Sequence, residues 1–321
     1  MSIVEKALER AKAAGADAAR FNRGAAPVDA RNDTVHSAER TTPESGRGGR
    51  DRASGSSLGL GNRVLVDIDS LRAAGAVAPI TEERQIANQY RAIKRPLIKR
   101  AFQAPVSGAG ERLLPRGILI CSALPADGKT FTAINLALSI ARERDCSVLL
   151  VDGDGAKRDL SRLFGLEGAP GLVDALVGPE RSLESLISPT DVPGLAILPA
   201  GSRSETTTEL YASDRMREIL DSISALDSRC IIVLDSPPVL LTNEAQVLAS
   251  LFGQVVMVVR AGATPQSAVL EALRLLGSGA RVGLVLNHIE TGGLGSYHYG
   301  NYDRAEYGEA LPEPDASSDG T

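Results

Sequence analysis

The stretch Ser122-Ala-Leu-Pro-Ala-Asp-Gly-Lys-Thr130 constrains this chain most, because it follows a short apolar run and leads into a helix-forming one. In a strand, loop and helix of this kind, backbone N–H groups and the helix N-terminus bind phosphate, and a lysine adds positive charge. The strict G-x4-G-K-[ST] pattern has glycine where this chain has Ala123, so the prediction of a nucleotide site also depends on the residues beyond the loop. The residues predicted to bind nucleotide here are Ala123, Pro125, Ala126, Asp127, Gly128, Lys129 and Thr130.

Short apolar runs alternate with helix-forming segments after this loop. Continuous apolar strands joined by helices predict an α/β fold, with a mostly parallel sheet covered by helices on both faces. Ligands of such sheets bind beyond the carboxyl ends of the strands. The predicted strands are residues 117–121, 147–152, 195–198, 230–235, 254–260 and 282–287, and the predicted helices between them are 131–142, 213–226, 243–251 and 265–276.

Acidic residues end two of the predicted strands, in Val148-Leu-Leu-Val-Asp152-Gly-Asp154 and in Ile231-Ile-Val-Leu-Asp235. Both strands would deliver carboxylates to the edge of the sheet that carries the phosphate loop. Phosphoryl transfer needs this convergence, with Mg²⁺ on the phosphates and a carboxylate that orients the attacking group. A single aspartate at a strand end more often forms a turn. Together with the loop, these acids instead favour a catalytic site.

Composition limits the other classes of function. The 321 residues, 43% of them hydrophobic, suffice for one catalytic domain with tails. A net charge of -5 gives no reason to expect bulk nucleic-acid binding. The three cysteines are scattered and predict buried, reduced thiols. No apolar run approaches the ~18 residues that span a bilayer, and the N-terminus lacks a signal peptide. We expect a cytoplasmic protein that reaches the inner face of the membrane only through a partner.

The patterns along the chain predict four segments. We expect residues 1–14 to form a short amphipathic helix and residues 15–80, rich in Gly, Ser, Arg and Asp, to form a disordered linker. The folded domain is predicted to cover residues 81–290 and to open with a helix over 81–95 that Pro96 bends or restarts. Residues 291–321 are first rich in tyrosine and then acidic, and we expect them to form a flexible tail.

The loop, the acidic motif at 151–157 and Leu234-Asp-Ser-Pro-Pro238 together resemble the bacterial tyrosine kinases, which are built on the P-loop NTPase sheet. The resemblance is strongest to soluble autokinases of exopolysaccharide and exosortase gene clusters. It implies that Lys129 contacts the phosphates of ATP, that Thr130 binds Mg²⁺, and that Asp235 holds the ion directly or through water. It also implies that Asp152 and Asp154 supply metal binding and hydroxyl activation. Asn287 matches a position that faces adenine in related ATPases, or it simply ends a strand in a turn.

The same resemblance implies that the tail carries the phosphoacceptors. Its tyrosines have no apolar surroundings that would bury them, although a binding role for an aromatic tail is the alternative. The leading function is an ATP- and Mg²⁺-dependent tyrosine autokinase that regulates exopolysaccharide biosynthesis or export. A catalytically weak nucleotide-binding scaffold is the second, because Ala126 replaces the usual glycine, and Gly153 and Gly155 would loosen the acidic loop. The predicted phosphoacceptors are Tyr297, Tyr299, Tyr302 and Tyr307.

A partitioning ATPase is the third alternative, but Leu124 lies where that branch carries a signature lysine. The partners implied by the kinase resemblance are other copies of the chain in a ring that phosphorylates in trans, a membrane adaptor of the export machinery and a phosphotyrosine phosphatase, with no nucleic acid. The ring helix of the family has the pattern E-x2-R-x2-R, and the aligned residues are Asn88, Arg91 and Lys94. Arg91 and Lys94 would otherwise form a solvated basic face.

Overall fold

The computed structural model describes residues 61–103, 113–178, 181–277 and 281–289. The predicted helix over 1–14, the linker up to residue 60 and the tail with its four tyrosines lie outside these residues.

A seven-stranded sheet organises the described residues, in the order β3-β4-β2-β5-β1-β6-β7. All neighbouring strands are parallel except β3, which pairs antiparallel with β4. The six predicted strands are confirmed, whereas β3 was missed because it has only two residues. The strands are β1 Leu114–Ser122, β2 Ser147–Asp152, β3 Ser188–Pro189, β4 Leu195–Leu198, β5 Cys230–Asp235, β6 Phe252–Arg260 and β7 Val282–Asn287.

Helices cover both faces of the sheet, so the predicted fold class is confirmed. Side chains alternate between the faces along β1, where Leu119 joins one apolar cluster and Ile118 and Ile120 join the other. None of the described helices is long and apolar enough to span a membrane. The helices are α1 Ile68–Ala73, α2 Glu83–Ala101, α3 Lys129–Ala141, α4 Asp159–Leu163, α5 Leu172–Val177, α6 Leu183–Leu186, α7 Thr207–Ala212, α8 Asp214–Leu226, α9 Glu244–Ala249 and α10 Gln266–Leu276, with a 3₁₀ turn at Ile80–Glu82.

Residues 61–80 belong to the folded part, so the prediction that the linker extends to residue 80 is wrong. Val64 and Leu71 are buried in the same apolar cluster as α2 and α3. The backbone of Val64 also forms an isolated bridge with Thr190, and Asp67 caps α1 by accepting from two backbone N–H groups. The apolar residues of this segment show no sustained periodicity, so no local pattern marked it as part of the folded domain.

Helix α2 corrects two further predictions. It continues through Pro96 to Ala101, and the exposed positions of Ala92 and Pro96 let water bind the carbonyl that loses its partner. Lys94 does not belong to a solvated face, because only 5% of its surface is exposed. Its Nζ donates to the Ser139 carbonyl at 2.5 Å and lies 2.7 Å from Glu143 Oε1. Lys94 therefore fastens α2 to the C-terminal end of α3.

Candidate active site

The predicted phosphate loop joins β1 to α3 and is confirmed as a strand, loop and helix. Ala126 and Gly128 both have left-handed backbone conformations, with φ of 64° and 97°. The loop begins buried at Ala123 and is exposed at Pro125 and Ala126. Backbone hydrogen bonds from Val239 and Leu240, in the segment after β5, fix its first residues. The two left-handed residues thus turn the chain from the end of β1 into the N-terminus of α3.

Lys129 begins α3 and is 8% exposed. Its Nζ lies 3.4 Å from Oδ2 of Asp154. Burial alone would lower the pKa of Lys129, but the negative charges of Asp235 and Asp154 outweigh it and raise the pKa above its ordinary value. Lys129 is therefore a cation at neutral pH, held where the loop opens.

Asp235 ends β5, and its Cα is in register with Asp152 of β2. Oδ2 of Asp235 accepts from the Thr130 hydroxyl at 2.7 Å, whereas Oδ1 is buried and has no hydrogen-bond partner among the described residues. Burial raises the pKa of Asp235 to about 7, although Lys129 and Thr130 oppose the shift. A buried carboxylate oxygen without a donor, beside a threonine hydroxyl, suits a hard cation such as Mg²⁺.

Asp152 is fully buried, and hydrogen bonds engage both of its carboxylate oxygens. Oδ2 accepts from the backbone N and the hydroxyl of Ser161 at 2.8 and 2.7 Å, and Oδ1 accepts from the backbone N of Asp154 at 3.2 Å. Burial raises the pKa of Asp152 against these hydrogen bonds. These contacts anchor α4 and orient Asp154. The predicted catalytic and metal-binding roles of Asp152 stay predictions.

Asp154 presents the oxygen of this acidic motif that pairs with Lys129. Its Oδ1 accepts from the backbone N of Lys157 at 3.1 Å, and its buried Oδ2 faces Lys129 without accepting a hydrogen bond from any described residue. Gly153 does not loosen the segment as expected. Its N donates to the Asp235 carbonyl at 2.8 Å and its carbonyl accepts from the Tyr211 hydroxyl at 3.1 Å. Asp154 therefore projects from a fixed backbone.

Asn287 ends β7 beside the phosphate loop. Its Nδ2 donates to the backbone carbonyl of Asp127 at 3.1 Å, so it does more than end a strand. A Cβ added to Gly128 would lie 1.9 Å from the same nitrogen, which explains glycine there. The predicted contact between Asn287 and adenine stays a prediction.

Three residues near the site were not predicted from the sequence. Tyr211 supports Gly153, and Thr264 donates to Asp127 at 2.6 Å. Oε2 of Glu244 is buried without a hydrogen-bond partner among the described residues, and burial, then the charge of Asp154, raise its pKa. One signal for Glu244 was available in the sequence, because it follows shortly after the strand-end acid Asp235. Tyr211 gave no signal. Thr264 belongs to a segment, 259–264, that resembles the kinase subgroup, but its contact with Asp127 joins distant parts of the chain.

Comparison with known proteins agrees with this arrangement, although no family model matches the chain. The putative tyrosine-protein kinase EpsB of Ralstonia nicotianae is 33% identical over 218 residues, which is 66% of this chain and 28% of the relative. The putative tyrosine-protein kinase CapB of Staphylococcus aureus is 31% identical over 186 residues, which is 57% of this chain and 80% of the relative. The chain belongs to the bacterial tyrosine kinase family.

Solved structures of this family share the fold. The chimerical protein CapA2B2 superposes with a TM-score of 0.55 and 27% identity, covering 72% of this chain and 96% of that one. The kinase domain of the Escherichia coli tyrosine kinase ETK gives 0.53 and 26%, covering 64% and 78%. The chain spans only 28% of the length of the EpsB relatives.

Proposed function

We propose that this chain is an ATP- and Mg²⁺-dependent protein tyrosine autokinase that phosphorylates its own C-terminal tyrosines. One observation carries the proposal. A buried lysine, a threonine hydroxyl and two carboxylates converge at the sheet edge that carries the phosphate loop, and each carboxylate has a buried oxygen that accepts no hydrogen bond from the described residues. The residues are Lys129, Thr130, Asp154 and Asp235.

Each residue has a role that its contacts support. Lys129 binds the phosphates as a cation, assisted by the N-terminus of α3. Thr130 and Asp235 would hold Mg²⁺, which neutralises charge on the phosphate oxygens. The tyrosine hydroxyl oxygen forms the new bond to the γ-phosphorus while the bond to the ADP oxygen breaks. Asp154 accepts the hydroxyl proton through Oδ2, the oxygen that faces Lys129, and Asp152 positions Asp154.

The exit of the chain from β7 supports tyrosines as acceptors. Asn287 pairs with Arg260 at the end of parallel strands, so the chain leaves the sheet at the edge of the phosphate loop. Tyr297 comes ten residues later, and ten extended residues reach at most ~33–36 Å. A tail of this reach suits phosphorylation in trans within an oligomer.

We assign the wider role from family membership. It comprises regulation of exopolysaccharide biosynthesis or export, recruitment from the cytoplasm to a membrane adaptor, reversal by a phosphotyrosine phosphatase, and ring assembly. The exposure of Arg91 on α2 supports the ring, and its guanidinium donates within the same helix to the side-chain oxygen of Asn88 at 2.5 Å. Lys94, engaged by Ser139 and Glu143, is not free to join that contact.

Autophosphorylation of the full chain tests the proposal. Phosphatase-treated wild type, Lys129→Met and Lys99→Met are incubated with Mg²⁺ and ATP, and phosphosites are mapped by mass spectrometry. Lys99 is exposed on α2 and serves as the matched lysine control. We expect phosphate on the tail tyrosines of wild type and Lys99→Met, and none on Lys129→Met. An unmodified tail despite ATP binding would instead favour a scaffold, and phosphate release without modification would favour an ATPase.

A further inference from the structure

The phosphate loop contains an acidic residue of its own. Asp127 lies between Ala126 and Gly128 and is only 3% exposed. A carboxylate this close to the phosphates of a nucleotide repels them, and the repulsion is strong where water is excluded. The direction in which this carboxylate is held therefore affects how well the loop binds an anion.

Hydrogen bonds engage both oxygens of Asp127. Oδ2 accepts from the backbone N of Leu124, within the loop, at 3.1 Å. Oδ1 accepts from the hydroxyl of Thr264, 137 residues away, at 2.6 Å. The carboxylate is thus tied to the backbone of its own loop on one side and to the connection between β6 and α10 on the other.

The Thr264 hydroxyl has its orientation fixed. Its oxygen accepts from the backbone N of Arg260, the last residue of β6, at 3.1 Å. The backbone N of Thr264 in turn donates to the Arg260 carbonyl at 3.1 Å. Because Arg260 occupies a lone pair of the hydroxyl oxygen, the single hydroxyl proton is available to Asp127.

Asn287 holds the same loop residue through its backbone, by donating to the Asp127 carbonyl. The Asn287 carbonyl accepts from the backbone N of Ala261 at 2.8 Å, beside the Thr264 turn. Asp127 is therefore restrained from the ends of two neighbouring strands, β6 and β7. A loop fixed in its binding conformation loses less entropy when a ligand binds.

We propose that Thr264 is a positioning residue of the phosphate loop: its hydroxyl holds the Asp127 carboxylate away from the bound phosphates and fixes the loop, without touching the nucleotide. The inference rests on the proposed nucleotide-binding function and adds to it a residue outside the loop. The affinity for nucleotide would then depend on the β6–α10 connection.

A comparison of Thr264→Val with Thr264→Ser tests the role of the hydroxyl. Valine keeps the shape of threonine and loses the hydroxyl, whereas serine keeps the hydroxyl. The full chain is titrated with the fluorescent probe mant-ADP in the presence of Mg²⁺. We expect Thr264→Val to weaken binding about fivefold to tenfold, on the scale of the net contribution of one typical hydrogen bond, and Thr264→Ser to stay within about twofold of wild type. Thermal unfolding confirms that each variant is folded.

A double variant separates positioning from a general loss of structure. In an Asp127→Ala background the carboxylate that Thr264 holds is absent, so adding Thr264→Val should weaken mant-ADP binding by less than about twofold. The same loss in both backgrounds, or wild-type affinity in Thr264→Val, would overturn the inference and leave the proposed function intact. A wild type that binds no mant-ADP would overturn both. Binding without tail phosphorylation would overturn only the kinase assignment.

Discussion

Ala126 has a backbone conformation that its side chain disfavours. The φ of 64° places it in the left-handed region, where the Cβ of an L-residue costs roughly 1–2 kcal/mol. Two other described non-glycine residues share a positive φ, Arg158 and His288, and each lies next to a segment of the candidate site. Strain of this kind persists where the surrounding structure fixes the backbone, which is common at functional sites.

Replacing Ala126 by glycine should therefore stabilise the protein. We expect Ala126→Gly to raise the free energy of unfolding by about 0.5 kcal/mol, because relief of the Cβ strain exceeds the greater backbone entropy of glycine in the unfolded chain. Urea denaturation measures the change.

The matched control is Ala92→Gly, at an exposed position inside α2. Glycine there should lower the free energy of unfolding by about 1 kcal/mol, since a right-handed helix gains nothing from it. Equal losses in both variants would show that the backbone at residue 126 is not strained by its Cβ.

At the scale of elements, α2 and α3 are joined by one buried cation. Tyr90, Lys94 and Leu97 recur at helical spacing along the buried side of α2. The ammonium group of Lys94 satisfies the Ser139 carbonyl in the last turn of α3, where the helix dipole favours positive charge. Glu143 completes the contact, but its side chain is 44% exposed and can be solvated by water.

We expect Lys94→Met to lower the free energy of unfolding by about 1–2 kcal/mol, mainly because the Ser139 carbonyl loses its buried donor. Lys99→Met, on the exposed side of the same helix, should stay within about 0.5 kcal/mol of wild type. Chemical denaturation of the two variants side by side measures both. A Lys94→Met protein as stable as Lys99→Met would mean that water replaces the lysine at no cost.

Sequence patterns predict elements whose signal is local. The long buried strands, the phosphate loop and the acids at the ends of β2 and β5 were all found, because apolar runs and turn residues mark them directly. Short elements were missed. Helix α5, for example, starts where the backbone N of Leu172 donates to the Pro199 carbonyl at 2.8 Å, and a Cβ on Gly171 would lie 2.0 Å from the same oxygen. Such a helix is fixed by distant contacts that no local pattern records.

The same distinction applies within the candidate site. The strand-end positions of Asp152 and Asp235 follow from parallel topology alone, and the structure confirms their register. The hydrogen bond between Asp127 and Thr264 crosses 137 residues and joins two loops, so spacing could not predict it. Burial of Lys94 was missed because charged residues are rarely buried unless paired, and its partners lie on another helix.

For the whole molecule, the candidate site opposes folding stability. Lys129 and four carboxylates, those of Asp127, Asp152, Asp154 and Asp235, are buried at one edge of the sheet, and each charged group loses hydration when the chain folds. Asp235 shows this most clearly. Its pKa in the folded protein is about 7, against an ordinary value of 3.8, mainly because of burial. Functional sites commonly reduce stability in this way.

The sign of the resulting pH dependence follows from linkage. Between the two pKa values, the folded state binds more protons at Asp235 than the unfolded state does, so this residue makes stability fall as pH rises from about 4 to about 7. Asp235→Asn removes that contribution. We expect the variant to lose less stability than wild type between about pH 4 and about pH 7, as measured by urea denaturation without nucleotide.

Glu205→Gln, at an exposed carboxylate, serves as the control and should keep the pH dependence of wild type. Nucleotide gives a second comparison of wild type with Asp235→Asn. Because Asp235 would hold Mg²⁺, adding Mg²⁺ with ADP should raise the melting temperature of wild type more than that of Asp235→Asn, since a ligand stabilises only the state that binds it. If Asp235→Asn kept both the wild-type pH dependence and the wild-type response to nucleotide, Asp235 would be neither the destabilising buried acid nor a residue of the site.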